Sequence, residues 1–179
     1  SIVKMLESEN GFSKIADEIL TDVCNYLKIS NAALLRINRD GETADMISEC
    51  CLEKEDALIA KCQGISTSEF PFTNGKPYMI SADSLLPPAF AQFFEKWNIQ
   101  AAISLPIEIN GEAAMYLCFF ELRKRRIWDV SDIKFLNEVK QIVQSILIKR
   151  ITKNSLASSY ASLEAILENV GCGICVRDM

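Results

Sequence analysis

The sequence predicts an α+β domain built around an antiparallel sheet. Two apolar stretches with central turn dipeptides, Asp40-Gly41 and Asn110-Gly111, read as β-hairpins, because Gly tolerates φ > 0 and Asn and Asp nearly do. Segments of helical period flank them at both ends of the chain. The 179 residues suit one domain with appendages better than two full domains.

The elements follow in chain order. "FSKIADEILTDVCNYLKI", residues 12–29, places Ile15, Ile19, Leu20, Val23 and Leu27 at helical spacing. Residues 31–51 form the first hairpin, and a short helix is expected over Glu53 to Lys61. "KPYMISADS", residues 76–84, reads as a strand. Pro87-Pro88 then opens a helix, since the N–H that Pro lacks has no partner in a first turn. In that helix Phe90, Phe93, Phe94 and Trp97 fall on one face. After the second hairpin, the pattern from Ser131 to Val170 is helical, with Ser131 as N-cap and no Pro or Gly before the end. Leu136, Val139, Val143 and Ile146 follow coiled-coil spacing, the seam turns polar around Arg150, Lys153 and Asn154, and Leu163, Ile166, Leu167 and Val170 resume it. A helix well past the ~12 residues of an average one is expected to reach a partner as well as its own sheet.

The second hairpin admits two registers. A two-residue turn at Asn110-Gly111 would put Ile103, Leu105 and Ile107 on one face with Ala114, Tyr116, Cys118 and Phe120. A three-residue loop, with Gly111 as a bulge residue, would instead join them to Ala113, Met115, Leu117 and Phe119. The second register makes one face wholly apolar and leaves the other small, mixed and partly polar, so hydrophobic pattern favours it.

Composition excludes several classes of function. The net charge of −5 weakens a nucleic-acid reading, and the basic cluster Arg123 to Arg126 reads as a solvated loop after a strand. There is no histidine, which removes Ser-His-Asp and Cys-His catalysis, His-ligated haem and most catalytic zinc sites. The seven cysteines read as reduced and cytosolic, several lying in apolar periodic segments where Cys acts as a small hydrophobe. Cys172 and Cys175 form a C-x-x-C without a second pair, in a segment that reads as a strand start. No apolar run approaches the ~18 residues of a membrane span, and the acidic opening segment is unlike a signal peptide. No catalytic, metal or cofactor site is expected, nor a nucleic-acid or membrane partner for this segment.

"KPYMISADSL", "FFEKWNIQAAISLPIEINGEAAMYLCFF" and the helix from "WDVSDIKFLNEVKQIVQSI" together resemble a GAF domain, over roughly residues 12–150. Residues 1–11 then form a helical lead-in and 131–170 a closing and linker helix that overlaps the domain. The tail "SLEAILENVGCGICVRDM" is similar to the entry of a PAS domain, whose first strand would begin at 171–179. The resemblance implies a piece of a bacterial GAF–linker–PAS protein, of the kind that ends in a histidine kinase or a GGDEF or EAL domain.

It also implies terminal helices packed on one face of the sheet and a lid helix over a small-molecule pocket on the other. Ile103, Leu105, Ile107, Met115 and Leu117 would then meet Ile19, Val23, Val139 and Val143. Ala102, Ser104, Pro106, Tyr116 and Cys118 would floor the pocket, under a lid of Phe90, Phe94 and Trp97, with Ser81 and Asp83 at the rim. The same aromatic stripe is equally the mark of a pocket filled by its own side chains. The family's bilin-holding His and its "NKFDE" pattern are absent, which speaks against a photoreceptor or a cyclic-nucleotide site. The expected function is a cytoplasmic sensory module, homodimeric through Leu136, Val143, Ile146, Leu163 and Leu167. The alternative is a thiol redox sensor or free methionine sulfoxide reductase-like enzyme using Cys118, with Cys50 or Cys51 as resolving thiol.

Overall fold

The computed structural model describes the backbone of residues 10–170 and the side chains of residues 11–153. Helix α1 (Asn10–Leu27) leads into β1 (Asn31–Ile37) and β2 (Thr43–Cys51). The short β3 (Ile65–Ser66), β4 (Tyr78–Ile80), helix α2 (Pro88–Trp97), β5 (Ala101–Ile109), β6 (Glu112–Glu121) and helix α3 (Val130–Val170) follow. The strands form one antiparallel sheet in the order β3-β2-β1-β6-β5-β4.

Each face of this sheet carries its own core, which is why β1 reads as an almost unbroken apolar run. Ala32 and Leu34 point to the terminal helices, and Ala33 and Leu35 point to the lid side. On the helix side, Ala16, Leu20 and Val23 of α1 and Leu136, Val139, Val143 and Leu147 of α3 pack with Ile103, Leu105, Ile107, Met115, Leu117 and Phe119. Ile19 joins them half-buried.

The hairpin faces agree with the hydrophobic pattern, but the device that sets them differs from the expected one. Leu105 pairs with Leu117 and Ser104 with Cys118, so the two pairs face opposite sides. The loop is nevertheless a two-residue turn, with Ile109 opposite Glu112 and both Asn110 (φ 55°) and Gly111 (φ 77°) left-handed. That is the type I′ geometry Asn-Gly favours. A bulge between Ile107 and Glu108, on the facing pairs Met115 and Ala113, supplies the one-residue shift. As a result Ala113 belongs to the lid side and Ala114 to the helix side, the reverse of the expectation from a three-residue loop.

Three other elements differ from their sequence reading. Residues 53–61 form two 3₁₀ turns, Lys54–Asp56 and Ile59–Lys61, instead of one helix. The strand expected over 76–84 is confined to Tyr78–Ile80, because the chain beyond it turns to meet the segment before α3: the Ala82 N–H donates to the Arg126 carbonyl at 2.8 Å. Helix α3 begins at Val130, so the capping side chain is Asp129 and not Ser131. Asp129 Oδ1 accepts the Asp132 N–H at 2.7 Å, and Asp132 Oδ2 accepts the Asp129 N–H at 3.3 Å, a reciprocal cap built from two aspartates. The lead-in over residues 1–9, the C-x-x-C of Cys172 and Cys175 and the PAS-like strand over 171–179 lie outside the described residues.

Candidate functional site

The lid side is built by α2 lying over β5, β6 and β1. Pro88 starts α2 at its first position, and Asn98 ends it in the left-handed region (φ 54°), its N–H returning to the Glu95 and Phe94 carbonyls. One turn of α2 therefore delivers Phe90, Phe93 and Phe94 to the interior, all buried. Phe93 meets Phe70, Phe72 and Phe120 edge-on, with ring centroids 5.9, 5.6 and 6.1 Å away. Offsets of this kind are the favoured ones for aromatic rings.

Of the sequence-predicted site residues, the structure brings Phe90, Phe94, Ala102, Tyr116 and Cys118 into this one cluster, with Trp97 half-buried at its margin. Ser104 and Pro106 share the face, opposite Cys118 and Tyr116. The Tyr116 hydroxyl accepts the Gly75 N–H at 2.9 Å, and its ring packs 5.8 Å from Phe72. Ser81 and Asp83 are not brought in. Ser81 Oγ instead accepts the Trp128 N–H at 3.0 Å and so ties the end of β4 to the approach to α3, while Asp83 is exposed.

Phe70 and Phe72, from the segment after β3, were not among the expected site residues, nor were Met46, Leu58 and Cys62. The signal was the alternation in "EFPF", too short to assign to an element. These side chains close the space beneath α2. The cavity that remains has a volume of about 10 Å³, room for about one water, and its walls are apolar side chains and two thiols. Trp97 Nε1, buried at the margin of this core, has no hydrogen-bond partner among the described residues, and the Ser104 hydroxyl has only the Cys118 thiol opposite it.

The thiols of this face are poorly disposed to react. Cys118 is fully buried, and burial pushes its pKa far above the ordinary thiol range. Burial likewise lifts Cys62 to about 11, and on the far strand it lifts Cys51 to about 12 with Glu49 adding to the effect. A nucleophilic thiolate requires the opposite shift.

Outside this core, a surface cleft of about 470 Å³ lies between the C-terminal end of α2, the two 3₁₀ turns and the end of β6. Leu58 and Trp97 form its boundary with the sealed cavity.

On the opposite side, a buried charge cluster fixes the start of α3. Glu121, with no exposed surface, accepts from the Ser30 hydroxyl at 3.0 Å and from Arg126 Nη1 at 3.1 Å. Arg126 also donates to the Leu27 carbonyl at 3.0 Å and lies 3.6 Å from Asp132 in the first turn of α3. Among the candidate dimer contacts, Leu136 and Val143 are consumed by the protein's own core and Ile146 is half-buried against it. Among the described residues, the large apolar side chains of α3 that stay exposed are Val130 at its start, Ile142 and Ile148. The side chains of Leu163 and Leu167 lie outside the described residues. Among the described residues no helix is long and apolar enough to cross a membrane.

Comparison with known proteins agrees with this architecture. The GAF domain family model matches residues 12–145. No curated protein matches the chain. Among solved structures, the blue-light absorbing form of the PixJ GAF domain from Thermosynechococcus elongatus is 13% identical. It superposes with a TM-score of 0.67 over 91% of this chain and 96% of that one. A domain assigned to a two-component sensor histidine kinase from Sinorhizobium meliloti is also 13% identical, with a TM-score of 0.60 over 80% of this chain and 95% of its own. A phycocyanobilin-bound GAF domain from a cyanobacterial phytochrome is 10% identical, with a TM-score of 0.67 over 85% and 92%.

Proposed function

The chain belongs to the GAF domain family, and on that premise we propose that it is a cytosolic sensory and dimerisation module with no catalysis of its own. A small molecule taken up on the lid side, or the pairing state of a homodimer, biases the arrangement of two α3 helices. These helices pass the bias to a PAS domain and an output domain of the histidine kinase or GGDEF/EAL type. The mechanism needs two helix arrangements close in energy and a ligand with different affinity for each.

The observation that carries the reading is α3 itself. Among the described side chains its contacts with the helix-side core reach Ile151, and the helix runs on to Val170, a further stretch of about 28 Å at 1.5 Å per residue. Helices in proteins owe most of their stability to a packed apolar face, and the sequence of this stretch repeats Leu163, Ile166, Leu167 and Val170 at helical spacing, which supports a second helix alongside it. The charge cluster of Glu121, Arg126 and Asp132 supports a defined launching angle for it. The resemblance of the tail to a PAS entry supports the direction of the signal.

The thiol reading has weaker support. Cys118 is sealed, its pKa is raised, and no cation among the described residues pairs with it.

Hydrogen exchange along α3 tests the proposal. Amides of residues 152–170 are expected to exchange slowly at tens of micromolar protein and to lose protection on dilution. Fast exchange at every concentration would remove the paired helix from the account.

A further inference from the structure

We propose that the surface cleft at the C-terminal end of α2 is a binding site for a small organic acid with a flat apolar body. The inference builds on the reading of the domain as a small-molecule sensor, but it places the ligand outside the packed lid-side core and does not depend on the dimer. The cleft volume, about 470 Å³, falls in the range of small-molecule sites, whereas the interior cavity of about 10 Å³ does not.

Charge in the cleft is unevenly committed. Its two acids are both held by Arg123, whose Nε and Nη2 donate to Asp56 at 2.7 and 3.2 Å and whose Nη2 also reaches Glu55 at 3.1 Å. Lys96 pairs with Glu69, which lies outside the cleft, and keeps its ammonium 5.3 Å from the centre of the Trp97 ring. Lys61 is exposed and makes no ion pair among the described residues. The cleft is thus lined by three cations against two acids, and an anionic group entering it meets the uncommitted ammonium of Lys61, while the two carboxylates share the single guanidinium of Arg123.

The apolar walls suit the rest of such a ligand. The half-buried Trp97 indole offers a flat apolar face there, with the buried Leu58 and Leu122 completing the apolar lining. The buried Trp97 N–H lacks an acceptor, an arrangement tryptophan normally avoids and one that a carboxylate or carbonyl could relieve.

The chain has two tryptophans, so ¹H–¹⁵N spectra contain two indole N–H signals, assigned with a Trp97→Phe variant. The Trp128 indole is already bonded to the Ile80 carbonyl at 3.1 Å and serves as internal control. Titration of the intact protein with 2-naphthoate is expected to shift the Trp97 signal saturably and leave Trp128 in place. The uncharged 2-naphthamide should need at least about tenfold more to do the same, and Lys61→Glu should weaken the acid by at least about tenfold while leaving the other resonances unchanged. Absence of a saturable Trp97 shift, equal potency of the amide, or equal movement of both indoles would overturn the proposal. Each of those results leaves the exchange behaviour of residues 152–170 as it was, so failure here is distinguishable from failure of the sensory-helix reading.

Discussion

Adjacent residues on β5 offer opposite stability predictions. Leu105 is 2% exposed, lies opposite the fully buried Leu117, and belongs to the core shared with α1 and α3. Leu105→Ala removes three carbons from a site whose neighbours are held by two sheet partners and two helices, leaving little room to collapse. The expected loss is in the upper part of the usual range for such truncations, about 3–5 kcal/mol. Ser104 is equally buried but faces the other way, and the group opposite its hydroxyl is the Cys118 thiol. A hydroxyl bonded only to a thiol, a weak partner, regains little of the about 1–3 kcal/mol that its desolvation costs. Ser104→Ala removes that cost together with this weak bond and a few dispersion contacts, so it should fall within about 1 kcal/mol of wild type. Urea melts followed by far-ultraviolet circular dichroism read both values, provided the slopes match that of wild type. A Ser104→Ala loss above about 2 kcal/mol would show that the hydroxyl has a stronger partner than the thiol and that the description of this face is incorrect. A Leu105→Ala loss below about 1 kcal/mol would refute the assignment of the helix-side core.

Other expectations concern thiols and charge. In the native protein Cys24, Cys62 and Cys118 should react slowly with a thiol reagent at pH 8, because each is buried with its pKa raised; one fast thiol among them would revive the redox reading. The raised values also set a pH dependence. Folded thiols at about 11 for Cys62 and about 12 for Cys51 hold protons that the unfolded chain releases near 9. Their contribution is complete below pH 9 and is lost as the pH rises towards the folded values, so urea midpoints should fall between pH 9 and 11 and fall less steeply in Cys62→Ala. Arg126→Met leaves the buried Glu121 carboxylate with only one cation, the more distant Lys124 at 3.9 Å, and should cost about 3 kcal/mol, most of which the double variant with Glu121→Gln recovers; equal losses in the single and double variants would mean the ion pair is not what Glu121 needs.

Much of this fold is legible in the sequence because its elements carry redundant signals. The spacing of Phe90, Phe93, Phe94 and Trp97, the Pro at the start of α2 and the glycine in each hairpin connection all point the same way, and the structure has the helix and both hairpins where they place them. The faces of the second hairpin were legible too, since a wrong register would bury polar and expose apolar residues along the whole strand. The turn itself was not, because a bulge at Ala113 and Ala114 leaves no compositional trace. Residues 53–61 carry helix-forming side chains but spend them on tertiary bonds instead. Glu49 accepts the Leu58 and Ile59 N–H groups at 2.8 and 3.1 Å, breaking the segment into two short turns. The candidate pocket was the least legible part. Whether a face of small residues is hollow depends on what covers it, and here Phe70 and Phe72 arrive from a segment with no periodicity to announce them. The long helix was read correctly in extent, but its seam was misassigned near the start: Leu136 and Val143 serve the protein's own sheet, and an α3 seam resembles a core stripe over those turns.

Sedimentation of the wild-type chain and of the Leu163→Lys/Leu167→Lys variant, both at tens of micromolar, bears most directly on the claim that α3 pairs to carry a signal. These positions lie past Ile151, the last of the described α3 side chains that pack on the helix-side core. The account requires a dimer for the wild type and a folded monomer for the variant, whose lysines would be buried unpaired in the seam. A monomeric wild type, or a variant that remains a dimer, would contradict it.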